Sequence, residues 1–226
     1  MFKRKKRSEK GFSLIELTVA TTIMLILLSV VSTLITRAMS VRQRETRRAD
    51  ALVSVQAALN VISREVANSG FGLYSDAVTK VASNGIVIAD SGQNQIHLRT
   101  NMFNQGDKTN CENNVADTAC LTDQPGEDVT YFLDTDTQSI VRYDPKETPT
   151  TSVVVNKVSA LEFKYFNYDA STGVATDSTT PTASTARVEI TVKAQLEEIV
   201  GQVNPSDVTY KSQVTLRNAS FMLRQY

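Results

Sequence analysis

GFSLIELTVATTIMLILLSVVSTLIT, residues 11–36, is mainly apolar and contains a single charged side chain, Glu16. About 20 mainly apolar residues are enough for a helix to cross a bilayer, so this run is long enough to span one. An ionised side chain at membrane depth costs at least ~2.5 kcal/mol and usually marks a function or a partner. We therefore expect a transmembrane helix over residues 12–36 and a functional role for Glu16.

A basic leader precedes the apolar run. Residues 1–11 hold six lysines and arginines and one glutamate, a net charge of +5, and the whole chain has a formal net charge of 0, so the rest sums to −5. A basic leader favours a cytoplasmic N-terminus. Charge alone leaves the orientation open, because five arginines follow the run on its other side: Arg37, Arg42, Arg44, Arg47 and Arg48.

The segment KGFSLIEL, residues 10–17, resembles the G-F-[ST]-L-[IVL]-E processing motif of type IV prepilins and type II secretion pseudopilins. The resemblance implies that a membrane-embedded prepilin peptidase cuts between Gly11 and Phe12 and methylates the new amine of Phe12. Glu16 then becomes the fifth residue of the mature chain. Its carboxylate would neutralise the amine of a neighbouring subunit, because two paired charges avoid the cost that each has alone in a low dielectric, and the pair would set the axial register.

The resemblance also implies partners and a location. The N-terminus is expected in the cytoplasm, and the chain is expected to cross the inner membrane once before it enters a pilus or pseudopilus in the periplasm or at the cell surface. The expected partners are the prepilin peptidase, other major and minor pilins through the N-terminal helix, and the pilus assembly platform.

Two other interpretations of the N-terminus remain. One is a plain membrane anchor with an incidental glutamate near the interface. The other is a secretory signal peptide, which has an apolar core of 7–15 residues followed by a small-residue cleavage site. The apolar run is longer than that, and Ala38-Met39-Ser40 is a poor cleavage site beside Arg37. The signal peptide and the prepilin both predict export of most of the chain.

The helix is predicted to continue beyond the membrane. Residues 37–66 contain no proline and no glycine, and the spacing of Leu52, Val55, Leu59, Ile62 and Val66 places an apolar stripe on one helical face. The segment Asn68-Ser69-Gly70 predicts the stop. A helix over residues 12–68 has 57 residues and a length of about 85 Å.

The arginines at 37–48 are interpreted as a collar that contacts anionic lipid headgroups. Glu45 and Asp50 interrupt the cluster, and no aromatic residues are interleaved for base stacking, so nucleic acid is not the expected partner.

Strand patterns follow from residue 71 onwards. Hairpins are predicted at 86–88 with 95–99 and at 129–133 with 139–143, and further strands at 153–155, 158–168, 187–196 and 210–222. Residues 171–185 are rich in Ser and Thr and are predicted as a loop. The predicted class is α+β and pilin-like, with a long N-terminal helix packed on an antiparallel β-sheet domain.

The predicted domains are a cleaved leader (1–11), a transmembrane or filament-core helix (12–36), an exported amphipathic helix (37–70) and a globular β domain (71–226). Segments 60–72, 129–133 and 215–218 resemble the larger minor pilins, with PilW-type minor pilins and J-type pseudopilins nearest. Thr33 stands where a proline often kinks the helix of major pilins. The departure favours a minor subunit.

Two cysteines, Cys111 and Cys120, lie close together in a predicted polar loop, residues 104–127. In an oxidising compartment such a pair is expected to form a disulfide bond. The alternative, a metal site, lacks further ligands, because the single histidine, His97, lies in a strand pattern.

The sequence offers little for catalysis. It has no nucleophile elbow, Walker loop, CxxC or paired-histidine site. Asp134, Asp136 and Gln138 alternate like the start of a calcium loop but lack its central glycine and distal glutamate, which favours a hairpin turn. We therefore expect a non-enzymatic minor pilin without cofactor or metal. The alternatives are a J-type pseudopilin and a filament-displayed module that binds DNA or a surface.

Overall fold

The computed structural model describes residues 11–74, 81–103, 122–169, 171–195 and 207–223. The chain forms two compact units, Met1–Arg47 and Arg48–Tyr226. One long helix, α1 (Leu14–Asn68), supplies the helical part of the first unit and the N-terminal element of the second.

In the first unit α1 is exposed on every side. The hydroxyl groups of all five threonines in the apolar run donate to carbonyls three or four residues earlier in the same helix. They are Thr18, Thr21, Thr22, Thr33 and Thr36, with O···O distances of 2.8–3.0 Å. Such bonds satisfy polar groups within the helix itself, as a low-dielectric surrounding demands. Within the described ranges α1 is the one helix that is long and apolar enough to cross a membrane.

In the second unit α1 buries one face. Val55, Ala58, Leu59, Ile62 and Val66 are buried, and Leu52 is half-buried. The apolar stripe predicted from the spacing is therefore confirmed, with Leu52 at its edge. The stripe packs with the inner faces of antiparallel sheets in one core, which confirms the predicted pilin-like α+β fold.

The first sheet has the order β1-β2-β3-β4 and is antiparallel throughout. Its strands are β1 (Gln95–Arg99), β2 (Asp128–Asp134), β3 (Ser139–Tyr143) and β4 (Thr151–Asn156). Strands β1 and β2 bury the alternate side chains Ile96, Leu98, Val129 and Tyr131. Strand β3 buries the consecutive residues Ser139–Val141, and β4 buries Val155 alone. The hairpin predicted at 129–133 with 139–143 is present as β2 and β3.

The second sheet has the order β6-β5-β7-β8 and is also antiparallel. Its strands are β5 (Val158–Tyr168), β6 (Ala175–Ser178), β7 (Thr185–Ala194) and β8 (Val208–Thr215), and a short helix, α2 (Ser220–Leu223), follows. The chain passes from β4 to β5 at Lys157, whose φ of 61° makes the bend between the sheets. Phe163 N donates to Gln93 O at 2.7 Å, which joins β5 to the segment just before β1.

Three local predictions differ from the structure. The strand predicted over residues 210–222 ends at Thr215, and Ser220–Leu223 are helical. Residues 86–88 do not form a strand, because a single bridge pairs Ile86 with Leu98 before the chain turns into a 3₁₀ helix, Ile88–Asp90. Strand β6 lies inside the predicted Ser/Thr-rich loop. It forms because the last four residues of the long β5 offer a partner edge, and pairing outweighs weak β propensity.

The end of α1 is fixed by close backbone approach at two glycines. Gly70 has φ +76°, and its N–H donates to Arg99 O at 2.8 Å. A Cβ atom added to Gly70 would lie 2.0 Å from Ser83 O, and one added to Gly85 (φ +73°) would lie 2.0 Å from Gly70 N. Only glycine fits both the left-handed backbone and the contact, so the predicted helix stop also locks the helix end against the sheet.

Candidate processing and assembly site

The predicted cleavage junction lies outside the helix. Residues 11–13 precede the first turn of α1, and Gly11 and Ser13 are exposed. Phe12 is 90% exposed, and apart from the chain neighbours of Gly11 no atom of the described residues lies within 4 Å of a Cβ placed on Gly11. The peptide bond between Gly11 and Phe12 is therefore in non-helical, uncovered backbone, the state in which a peptidase can bind it.

Glu16 folds back on the start of the helix. The backbone N–H of Ser13 donates to Glu16 Oε2 at 3.0 Å, and Leu17 N–H donates to Ser13 O at 3.2 Å. Ser13 is thus the N-cap residue and Glu16 the third helical residue, the relation found in a capping box. A carboxylate here also interacts favourably with the helix dipole. Ser13 was not among the predicted site residues, although the S-x-x-E spacing of residues 13–16 carried the signal.

The apolar side chains around this site have no partner within the described chain. Leu14, Leu25, Leu27 and Leu34 are at least 60% exposed, as are several neighbours. A helix that is apolar all round is stable only when lipid or other helices cover it. Glu16 is the one charged side chain of the run, so it is the one that places a charge in the lipid or against a neighbouring helix.

The arginines that follow the apolar run are all exposed. Arg37, Arg44 and Arg48 are separated by seven and four residues and so share one helical face. Their location fits the interpretation as a charged collar, which stays a prediction.

The single histidine lies in an ion cluster on the first sheet. His97 Nδ1 is 3.1 Å from Asp90 Oδ2, its Nε2 contacts Asp128 Oδ1, and Arg99 Nε is 3.4 Å from Asp128 Oδ2. Burial raises the pKa of Asp128, but the hydrogen bond from His97 and the charge of Arg99 outweigh burial and hold that pKa below its usual range. Both ring nitrogens of His97 face carboxylates, so neither is free to accept a proton from a nucleophile in this arrangement.

A second cluster joins α1 to the first sheet. Arg142 on β3 donates from Nε to Glu65 Oε1 on α1 at 3.3 Å and from Nη1 to Glu147 Oε2 at 2.6 Å. Tyr131 is fully buried beside this pair. Burial and the Glu65 carboxylate both raise the pKa of Tyr131, which keeps its phenol neutral. These ion pairs connect α1 to β3 at the boundary between the helix and the first sheet.

A buried carboxylate fixes the segments on either side of residues 104–121. Glu127 is 1% exposed. Its Oε1 accepts the N–H of Phe103 at 2.9 Å and its Oε2 accepts that of Gln124 at 3.2 Å. Cys111 and Cys120 lie outside the described residues, so their disulfide stays a prediction. Glu127 carried no sequence signal, because a lone glutamate before a strand has no distinctive pattern.

The calcium-like pattern is a hairpin turn between β2 and β3. Asp134 Oδ1 accepts the N–H of Asp136 at 3.0 Å, and Asp134 Oδ2 accepts the hydroxyl of Thr137 at 2.7 Å. Gln138 completes the turn with φ +50°. Across the described ranges, no group of three or more His, Cys, Asp and Glu side chains is arranged to hold a metal ion.

Residues 6–32 match the protein family described as Prokaryotic N-terminal methylation motif. No significant match is found among curated proteins or among solved structures. The matched residues include Gly11, Phe12 and Glu16 and most of the apolar run, and none of the globular unit. The motif characterises the type IV pilin and pseudopilin class, whose members are generally structural rather than enzymatic, and it implies processing by the prepilin peptidase and assembly with pilins. The chain therefore carries the N-terminal methylation motif at the start of a long helix whose second half packs against antiparallel sheets, which is a type IV pilin-like architecture.

Proposed function

We propose that this chain is a minor type IV pilin, a structural subunit that helps to initiate or cap pilus assembly. The observation that carries the proposal is the exposed junction between Gly11 and Phe12, followed within one helical turn by Glu16, the single charge of the apolar run. The prepilin peptidase removes residues 1–11 on the cytoplasmic side and methylates the amine of Phe12.

Cleavage creates a second charge beside the first. The new amine of Phe12 is one residue away from Ser13, whose N–H already binds Glu16. In the isolated subunit Glu16 therefore caps the N-terminus of its own helix. In a filament the amine of a neighbouring subunit competes for the same carboxylate, and the resulting ion pair sets the register between helices. A pair of this kind in a low dielectric also removes the cost of two isolated charges.

Two features support a minor rather than a major subunit. Thr33 lies within an uninterrupted helix at the position where major pilins often have a proline. The length of 226 residues also exceeds that of most major pilins. The J-type pseudopilin remains the alternative, because the matched motif is common to both classes.

Mass spectrometry of the N-terminus tests processing. The mature chain is expected to begin at Phe12 and to carry a methyl group on its amine. Gly11→Ala should be partly cleaved and Gly11→Leu should remain uncut, because the peptidase has to accommodate the residue before the bond. An intact leader in the wild-type chain, or cleavage near Ser40, contradicts the proposal.

Three substitutions at Glu16 separate charge pairing from helix capping. Glu16→Gln keeps a side-chain oxygen that can accept the Ser13 N–H but removes the charge, Glu16→Asp keeps the charge with a shorter reach, and Glu16→Val removes both. All three should be cleaved. Crosslinking to other pilins should be lost for Val and Gln and reduced for Asp. Normal assembly of the Gln variant would show that Glu16 acts as a cap only.

Deletion of the gene separates the two assembly classes. Loss of surface pili with normal export of secreted enzymes is expected for a minor pilin. Loss of enzyme secretion with normal pili would identify a J-type pseudopilin instead, and both phenotypes would be compared with a strain that lacks the prepilin peptidase.

A further inference from the structure

Strand β4 is an edge strand whose six residues, Thr151–Asn156, contain no charged residue and no proline. Thr151, Ser152 and Val153 are exposed, and Val153 has 59% of its surface in solvent. In the described part of the chain, β3 is the one strand that pairs with β4, and no backbone hydrogen bond reaches β4 from its other side. An open edge of this composition is a template for another strand.

The other three sheet edges are protected. Residues 85–92 run beside β1, with Arg99 N–H donating to Gly85 O at 2.7 Å and Val87 N–H donating to His97 O at 2.9 Å. Strand β6 has only four residues, and its Asp177 pairs with Lys164. Strand β8 carries the exposed Lys211 in its middle. Proteins use short, charged or covered edges to prevent pairing with other chains, so the unprotected β4 stands apart.

The sheet face beside β4 carries an apolar row in which Val141 is only 8% exposed, Phe132 is half-buried and Val153 is exposed. Phe132, Val141 and Val153 lie directly opposite one another on β2, β3 and β4. They line a groove together with polar residues of the same strands. A bulge displaces Val154, but residues 151–153 pair regularly with β3. Val153 is the open end of the row, and a strand added next to it would continue the row with one more side chain.

We propose that β4 is the docking edge for a β-strand of a neighbouring pilin subunit in the same filament. This inference rests on the proposed function. A six-residue edge is only about 20 Å long. One added strand on such an edge buries far less than the ~1,000 Å² that a specific interface between free proteins needs. The contact is therefore effective only between subunits that are already held together, which filament helices achieve by raising the effective concentration.

The partner strand is defined by the chemistry of the edge. It supplies backbone N–H and C=O groups to residues 151–156 and an uncharged side chain beside Val153. A lysine or glutamate at that position would have to give up water beside an apolar row, which disfavours charged strands as partners.

Photo-crosslinking in cells that make the full chain tests the inference. A photoreactive residue replaces Ser152 to report on the edge, and one that replaces Leu27 reports on helix assembly. Val153→Lys should abolish the crosslink from position 152 to other pilins, and Val153→Thr should keep it. The matched control is Val174→Lys, because Val174 is also 59% exposed but lies before β6, and it should leave the crosslink unchanged.

The outcomes separate this inference from the proposed function. Crosslinks from position 27 without any from position 152 would overturn the docking edge and leave the pilin function standing. So would a crosslink from position 152 within the same chain, or one that Val153→Lys does not change. An uncut leader with no crosslink from position 27 would overturn the proposed function and the docking edge with it.

Discussion

Two valine-to-alanine substitutions on α1 test how the helix is held in the globular unit. Val66 is fully buried against the sheets, whereas Val53, on the same helix, is 68% exposed. Val66→Ala removes about 1.6 kcal/mol of hydrophobic burial, at ~0.8 kcal/mol for each carbon lost. The remaining cavity adds to the loss, for a total of roughly 2–3 kcal/mol.

The variant at the exposed position, Val53→Ala, measures the effect of helix propensity alone. Alanine is a better helix former than valine by about 0.5 kcal/mol at either position. Val66→Ala should therefore destabilise the globular unit by about 2 kcal/mol, and Val53→Ala should stabilise it by about 0.5 kcal/mol. The difference between the variants, roughly 2–3 kcal/mol, isolates the contribution of burial.

Urea unfolding of the detergent-solubilised full chain, followed by near-ultraviolet circular dichroism, measures both values. With a slope near 2 kcal/mol/M, the midpoint for Val66→Ala should fall by about 1 M while that for Val53→Ala stays level or rises slightly. A difference between the two variants below about 0.5 kcal/mol, the scatter of ordinary surface substitutions, would refute the packing of the helix stripe on the sheets.

Three further outcomes are expected. Gly85→Ala should destabilise the globular unit by more than about 2 kcal/mol, because its Cβ would lie 2.0 Å from Gly70 N in a left-handed backbone. Gly92→Ala is the control: a Cβ at Gly92 has nothing within 4 Å, so this variant should be nearly neutral in the same urea assay. The pKa of Asp128 is held below its ordinary value, so its stabilising effect is complete above that ordinary value and is lost as the pH falls through the folded-state pKa. The deficit of Asp128→Asn in unfolding free energy should therefore stay constant down to about pH 4 and shrink at lower pH, and a deficit that does not change below that pH would contradict it. Thiol titration of unreduced, denatured protein should find no free thiol at Cys111 or Cys120, and loss of that short-loop disulfide should cost roughly 2–3 kcal/mol.

Local signals predicted the helix and its apolar face well. Apolar residues three and four positions apart buried themselves as expected, because a helix places such residues on one side whatever surrounds it. The strand around residues 187–196 was also predicted by its alternation, and Val188, Ile190 and Val192 are fully buried. Patterns of this kind depend only on the period of the element and on burial.

Other elements depended on neighbours that are distant in sequence. Strand β6 had no strand pattern of its own and formed because β5 offers an edge. The contact of Gly70 with Gly85 joins residues fifteen positions apart, and His97 meets Asp128 from an adjacent strand. No local rule encodes such pairs, because they follow from how the sheets are laid together.

The sequence by itself determined the methylation motif that contains Gly11 and Phe12, the isolated charge of Glu16 and the length of the apolar helix. These are properties of consecutive residues, and the physics of lipid and helix acts on them directly. Only the tertiary structure decided that the strands divide into two sheets and that β4 is left as an open, uncharged edge. An edge exists only once the other strands have paired, since the backbone groups of every strand are alike until neighbours occupy them.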